Sequence, residues 1–235
     1  MKNKIRVYPR ESASYLRRPR AMEMLVADPT AIARAAAILQ AGGTVAFPTD
    51  TVYGVGAHAF QPAAVEKLYA AKLRPRDKAI PLLLADVADV SVVAQEASAD
   101  AQRLMARFWP GGLTLVLPRA ASVPDIVCAG GESVAVRLPA HAVARALIAA
   151  VGVPLAVTSA NLSGHPSPVV AAEVAAELAG RIDLLLDGGR CPGGVSSTVL
   201  DLTGEQPRLL RAGAIPVEEI EAVLGRMVGR VEVDK

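Results

Sequence analysis

The stretch Gly43-Thr44-Val45-Ala46-Phe47-Pro48-Thr49-Asp50-Thr51-Val52-Tyr53-Gly54 decides how this chain is read. Thr44 to Phe47 is a short apolar, β-branched run, the pattern of a buried strand. Pro48 has no N–H to give a strand ladder, so the sheet is expected to stop there and the chain to turn. Thr49, Asp50, Thr51 and Tyr53 then place hydroxyls and a carboxylate in one loop, closed by Gly54 and Gly56. A strand that ends in a polar, glycine-flanked loop is where an open α/β sheet builds its ligand site. Further on, Lys72-Leu73-Arg74-Pro75-Arg76-Asp77-Lys78 gathers cations around a single acid. A hydroxyl-rich loop beside such a patch points to a small polar substrate held next to phosphate.

On either side of that stretch, apolar periodicity predicts alternating helices and strands. A helix with Thr30 as N-cap runs through Ile32 to Gln40 and stops at Gly42-Gly43. Pro62 opens a second helix with Val65, Leu68 and Tyr69 on its apolar face. Strands are expected at 80–84, 113–117, 133–137, 154–158, 182–186, 197–202 and 207–211. Helices are expected at 97–108, 141–151, 169–179 and from 217. On 133–137, Val134 and Val136 share one face while Ser133, Ala135 and Arg137 share the other. The interleaving predicts an α/β fold, a single domain over about residues 24–228 with a twisted mixed sheet flanked by helices.

At 52% apolar residues, the 235-residue chain can bury a large core, but with 3% aromatics it must be built from Ala, Val, Leu and Ile. No apolar run reaches the roughly 18 residues of a membrane-spanning helix, so no membrane contact is expected. Cys128 and Cys191 stand apart from any CxxC or His-rich stretch, as free thiols of a reducing cytoplasm do. The net charge of +2 hides an asymmetry, because residues 1–22 alone carry +6. That segment is expected to be a disordered basic extension. An arm that touches RNA phosphates and a transit-like leader are the other readings of it.

The chemistry collects at predicted strand ends: Thr49–Tyr53, Ser133–Arg137, Thr158–Ser163 and Ser196–Thr198, with Arg211 closing an apolar strand. Taken singly, each has a plain structural explanation. Asp50 suits a turn after Pro48, the 72–78 patch a solvated loop, Thr158 and Asn161 a cap, and Ser197-Thr198 a strand start. Arg137 is different, because a guanidinium ending an apolar strand needs a partner if buried. P-loop, dinucleotide-binding, nucleophile-elbow and HExxH motifs are absent, and His58, His141 and His165 do not have metal-ligand spacing. The residues alone thus indicate a ligand-binding α/β enzyme of unspecified chemistry.

Longer blocks narrow this. Phe47–Gly56, Lys72-x-Arg74-Pro75, Ser133–Pro139, Thr158–Gly164, Pro166–Pro168, Gly194–Val199 and Leu210-Arg211-x-Gly213 occur in an order that resembles the YrdC/Sua5 family of threonylcarbamoyl-adenylate synthases. The likeness covers about residues 30–225 and corresponds to the family's short, single-domain form. It implies a nucleotidyltransferase that combines L-threonine, bicarbonate or CO2, and ATP into L-threonylcarbamoyl-adenylate and pyrophosphate. A partner complex then transfers the threonylcarbamoyl group to the N6 of adenosine 37 in tRNA. By resemblance, Thr51, Arg137, Ser197 and the backbone near Val157 hold threonine. Arg74, Lys78, Ser133, Ser159, Asn161, Ser167 and Arg211 hold ATP, and Lys72 and Arg74 act on the reacting phosphates. Mg²⁺ would arrive on the ATP phosphates, with no metal site in the protein. Where some relatives have a histidine after the basic patch, this chain has Leu83. The alternative implied function is a non-catalytic module of the same fold that binds double-stranded RNA or tRNA.

Overall fold

The structure, a computed structural model, describes residues 22–230. The expectation for the basic extension therefore lies outside the described residues, apart from Met22. Along the chain the elements are β1 (Glu23–Val26), α1 (Pro29–Gln40), β2 (Val45–Phe47), β3 (Gly54–His58), α2 (Pro62–Lys72) and β4 (Leu82–Leu83). Then come α3 (Val90–Val93), α4 (Ala99–Phe108), β5 (Leu113–Pro118), β6 (Ser133–Arg137), α5 (Ala142–Val151), β7 (Leu155–Ser159), α6 (Ala171–Leu178) and β8 (Leu184–Asp187). β9 (Thr198–Asp201), β10 (Arg208–Arg211), α7 (Val217–Leu224) and β11 (Gly229–Arg230) complete the order.

All described strands join one mixed sheet in the order β1-β8-β2-β3-β7-β4-β6-β5-β9-β10-β11. Pairing is antiparallel at β2/β3, β3/β7, β4/β7 and β5/β6, and parallel at β4/β6 and β5/β9. The expected α/β class with a mixed sheet is what the structure has.

The two faces of the sheet are covered unequally. On one face Val55, Ala57, Leu82, Leu115, Val134, Val136 and Ala156 pack with Val65 and Leu68 of α2, Leu104 of α4, Val174 of α6 and Ile220 of α7. On the other, α1 and α5 lay Ala35, Leu39, Leu147 and Ile148 over Phe47, Leu83, Leu155, Val157 and Leu184. Each fully buried leucine contributes roughly 1.5–3 kcal/mol of transfer free energy, so both layers are firmly held. Beyond β4, that second face continues across β6, β5 and β9 as the floor of a cavity. Register carries it there, because Leu83 lies opposite Arg137, Ala135 opposite Val116, and Thr114 opposite Val199. The alternation expected on 133–137 is thus realised, with Val134 and Val136 in the core and Ser133, Ala135 and Arg137 on the cavity floor.

Three local expectations are corrected. The N-cap of α1 is Asp28, whose Oδ1 accepts from Ala31 N at 2.7 Å, and Thr30 already lies inside the helix. Pro29 at the first helical turn explains the shift, since its missing N–H would have been unpaired there. The strand expected over 80–84 shrinks to Leu82–Leu83, because Ile80 N donates to Val127 O at 2.8 Å in a loop contact. Gly54 and Gly56 do not close a loop but lie within β3, opposite Ser159 and Val157. Glycine has low strand propensity, so β3 carried no strand signal, and the edge strands β1 and β11 are only four and two residues long.

Candidate active site

The loop after β2 is built by its own hydroxyls. Thr49 Oγ1 donates to Val52 O at 2.7 Å and accepts from Thr51 N at 3.1 Å, a side-chain turn that follows the break at Pro48. The turn presents Thr51 Oγ1 to Arg137 Nη1 at 2.9 Å and Asp50 Oδ1 to Arg137 Nη2 at 2.5 Å. Arg137 Nε donates to Gly111 O at 2.8 Å, and Asp50 Oδ1 also accepts from Ala140 N at 3.1 Å. Arg137 is 5% exposed. Burial pulls its pKa down from the ordinary arginine value, and the Asp50 carboxylate opposes that shift. Such a pair is held for placement, because desolvation offsets much of its Coulomb gain. Gly193 seals the loop, since a Cβ there would lie 2.5 Å from Asp50 O.

A second group comes from the paired strands β9 and β10. Arg211 Nη2 donates to Ser197 O at 2.8 Å and to Ser197 Oγ at 3.0 Å, while Nε reaches Ser197 O at 3.0 Å. Ser197 Oγ lies 2.8 Å from Thr114 Oγ1 of β5. Burial and the like charges of Arg137 and Arg74 lower the Arg211 pKa. Thr198 turns away, its Oγ1 donating to Ile215 O at 2.7 Å and accepting from Ile215 N at 2.9 Å. Its role is to hold the segment after β10. Gly213 allows that closeness, because a Cβ there would lie 2.3 Å from Ser196 O.

The third group follows α2, which ends at Leu73 in the left-handed region at φ 52°. That conformation closes the helix and parts its two cations. Arg74 reaches the cavity wall, with Nε donating to Lys78 O at 3.1 Å and Nη2 to Ala79 O at 2.7 Å. Lys72 is 1% exposed and does not line the cavity. Its Nζ donates to the backbone carbonyls of Ser159 and Asn161, clamping the chain as it leaves β7. Burial, with Arg74 adding to it, pushes the Lys72 amine down to about 7, against the pull of Glu177. Asn161 Nδ2 donates to Leu162 O at 2.8 Å and His165 O at 2.7 Å, shaping the loop towards Ser167. Its buried Oδ1 has no hydrogen-bond partner among the described residues.

The three groups enclose a cavity of about 440 Å³, well within the usual range for small-molecule sites. Of the residues singled out from the sequence, Thr51, Arg74, Ser133, Arg137, Val157, Ser159, Ser167, Ser197 and Arg211 line it together. Val157 contributes its side chain, as its N–H is taken by Pro81 O at 2.8 Å. Lys72, Lys78 and Asn161 lie outside the lining, and the Lys78 carbonyl accepts from Arg74 Nε and from the Tyr69 hydroxyl. Sequence reasoning missed Thr114 and did not identify Asp50 as the partner of Arg137. The polar residue within Leu113-Thr114-Leu115 was the available signal for the first. Among the described residues no group of three or more His, Cys, Asp or Glu side chains is placed to hold a metal. The donors facing the cavity are cationic and hydroxylic, which suits anionic oxygens.

Comparison with known proteins agrees with this geometry. The chain is 47% identical over 193 residues to a threonylcarbamoyl-AMP synthase of Pyrococcus abyssi, across 82% of this chain and 57% of that protein. It is 48% identical over 214 residues to a threonylcarbamoyl-AMP synthase of Bacillus subtilis, across 91% of this chain and 60% of the relative. The chain therefore spans about three fifths of the length of these curated relatives. The solved structure of P. abyssi Sua5 complexed with L-threonine superposes with a TM-score of 0.84 at 44% identity, covering 88% of this chain and 61% of that one. The Sua5/YciO/YrdC family model, described as telomere recombination, matches residues 37–213. A match over most of the chain, with cavity and fold in agreement, means that this protein belongs to the Sua5/YciO/YrdC family.

Proposed function

We propose that the chain is a threonylcarbamoyl-AMP synthase, which joins L-threonine, bicarbonate or CO2, and ATP into L-threonylcarbamoyl-adenylate and pyrophosphate. The observation that carries this reading is one cavity lined by two kinds of side-chain set. Thr51, Arg137, Val157 and Ser197 form a polar set with one apolar member that suits a small β-hydroxy amino acid. Arg74, Arg211, Ser133, Ser159 and Ser167 add cations and hydroxyls that suit a triphosphate, and Arg211 meets the first set at Ser197.

The chemistry needs no protein nucleophile. The amine of threonine adds to CO2 and loses a proton, and the resulting carbamate oxygen attacks the α-phosphorus of ATP. The new P–O bond forms as the bond to the pyrophosphate oxygen breaks. Rate then comes from alignment and from cations facing the charge that builds on the leaving group. Arg74 and Arg211, which line the cavity, are the cations this reading assigns to that charge, and Mg²⁺ would enter as the ion carried on the phosphates of ATP. Lys72 and Asn161 act at one remove, by holding the chain that presents Ser159 and Ser167. Walls of Leu83, Val116, Ala135, Val157 and Val199 limit water, which protects the labile carbamate.

The product is proposed to pass to a transferase complex that modifies the N6 of adenosine 37 in tRNA. The test is pyrophosphate release from MgATP, measured with threonine and bicarbonate each present or omitted. The reading predicts release only when both are supplied, with loss in Arg74→Ala. Release independent of threonine would overturn it, and RNA binding without release would favour the non-catalytic RNA-binding module.

A further inference from the structure

Ser159 and Ser167 both line the cavity, yet none of the residues between them, 160–166, does. The ends of this connecting loop are pinned by one residue, Tyr53, whose O accepts from Ala160 N at 2.9 Å and whose N donates to Pro168 O at 2.8 Å. Lys72 holds the start a second time, through Ser159 O, Asn161 O and a 2.9 Å bond from Ser163 N to Lys72 O. The turn from Leu162 to His165 passes through Gly164 at φ 93° and closes on itself, with His165 N donating to Leu162 O at 3.1 Å. Its further anchor is Glu177 of α6. Glu177 Oε2 accepts from Leu162 N at 3.0 Å, and both carboxylate oxygens lie 3.0 Å from His165 Nδ1.

The helix itself gives Glu177 no reason to be there. α6 ends at Leu178, so this carboxylate sits in the last turn, where the helix dipole disfavours negative charge. Glu173, one turn earlier, does serve the helix, because its Oε2 accepts from Val169 N at 2.7 Å and from the N-cap residue Val170 at 3.3 Å. A surface ion pair is a weak reason too, since the His165 side chain is half exposed and such pairs contribute little. The bond to Leu162 N is a stronger one. That backbone donor has no other acceptor among the described residues.

We propose that Glu177 is a positioning residue for the nucleotide, fixing the Leu162–His165 turn by its hydrogen bonds and thereby the placement of Ser167 in the cavity. Glu177 does not line the cavity, so it acts only through the loop. The inference rests on the reading of Ser167 as an ATP ligand. The competing role for Glu177 is its charge, which pulls the buried Lys72 amine up. Glutamine separates the two. Its oxygen still accepts from Leu162 N and its amide can donate to a neutral His165 nitrogen, while the charge is gone.

The test is binding of a non-hydrolysable ATP analogue with Mg²⁺, and of threonine, each by calorimetry well below the melting transition. The proteins are wild type, Glu177→Ala, Glu177→Gln, Ser167→Ala and the Glu177→Ala/Ser167→Ala double variant. In Glu177→Ala the Kd for the analogue is expected to rise about fivefold, while the threonine Kd stays within about twofold. Glu177→Gln should bind the analogue within about twofold of wild type. In the Ser167→Ala background, Glu177→Ala should add nothing, because its effect passes through Ser167. Three results would each overturn the inference and leave the synthase reading intact: a Glu177→Ala protein that binds the analogue as wild type does or loses threonine equally, a Glu177→Gln protein as weak as Glu177→Ala, or additive losses in the double variant. Wild type that binds neither the analogue nor threonine would overturn both.

Discussion

Replacing Gly213 by alanine tests how closely the placement of Ser197 and Arg211 depends on one backbone contact. A Cβ at 213 would lie 2.3 Å from Ser196 O and 2.5 Å from both Ser197 C and Thr198 N. Ordinary contact starts at 3.4 Å, so the two segments must part by about 1 Å, and all three obstacles are backbone atoms that cannot rotate aside. The hydrogen bond from Ala214 N to Ser196 O, 2.9 Å long, spans the same gap. So do the Arg211–Ser197 bonds at 2.8–3.0 Å, which a shift of that size would break. Overpacking of this kind costs about 1–3 kcal/mol. For a domain of this size that lowers Tm by about 3–10 °C. The loss in catalysis is expected to be larger in proportion, since a misplacement of about 1 Å can cost on the order of 100-fold in rate. The assay is kcat/KM for pyrophosphate release well below the melting transition, with circular dichroism to confirm folding. A folded Gly213→Ala protein with kcat/KM within about threefold of wild type would refute the claim that Ser197 must be held to sub-ångström tolerance.

Asp50→Asn removes the counter-charge of buried Arg137 and should destabilise the protein by about 3–5 kcal/mol in denaturant unfolding; an unchanged midpoint would mean that Arg137 does not depend on that carboxylate. Lys72→Met takes the donor from Ser159 O and Asn161 O and should raise the KM for ATP about tenfold while threonine binding stays within about twofold; equal losses for both substrates would contradict a role confined to nucleotide binding. Stability should also report Lys72 through pH. Its amine is pushed from the ordinary 10.5 down to about 7, so the folded protein releases a proton that the unfolded chain keeps between those values. The burial penalty is borne in full below about pH 7 and fades as pH rises towards 10.5, so wild type should gain on Lys72→Met by about 1 kcal/mol per pH unit across that window. Parallel stability profiles for the two proteins would show that Lys72 does not titrate there.

Much of this molecule was legible in local patterns, and the rest depended on contacts between distant segments. The break at Pro48 and the alternation on Ser133–Arg137 are properties of a few consecutive residues, and the cavity floor follows from them. Arg137 was flagged because a cation ending an apolar strand needs a partner, yet the partner is Asp50, 87 residues away. Lys72 shows the opposite outcome. Within a cationic run it looks like a phosphate ligand, but the carbonyls of Ser159 and Asn161 draw its amine into the interior, and no local pattern marks that. β3 escaped notice because Gly54 and Gly56 lower strand propensity, whereas their lack of side chains is what lets Val157 pack close, with a Cβ at 54 falling 2.7 Å from Val157 Cγ1. Thr114 was hidden because one hydroxyl in a leucine-rich strand reads as strand composition until Ser197 of a neighbouring segment is placed against it.

The most direct test of the account is to identify the product. The protein would be incubated with MgATP, L-threonine and isotopically labelled bicarbonate, quenched quickly, and analysed by mass spectrometry. The account predicts one adenylate that carries the threonine moiety and the label in its carbamoyl carbon, formed in step with pyrophosphate. An adenylate without the label, or pyrophosphate with no threonine-containing adenylate, would contradict the claim that this cavity joins a carbamate oxygen to the α-phosphorus of ATP.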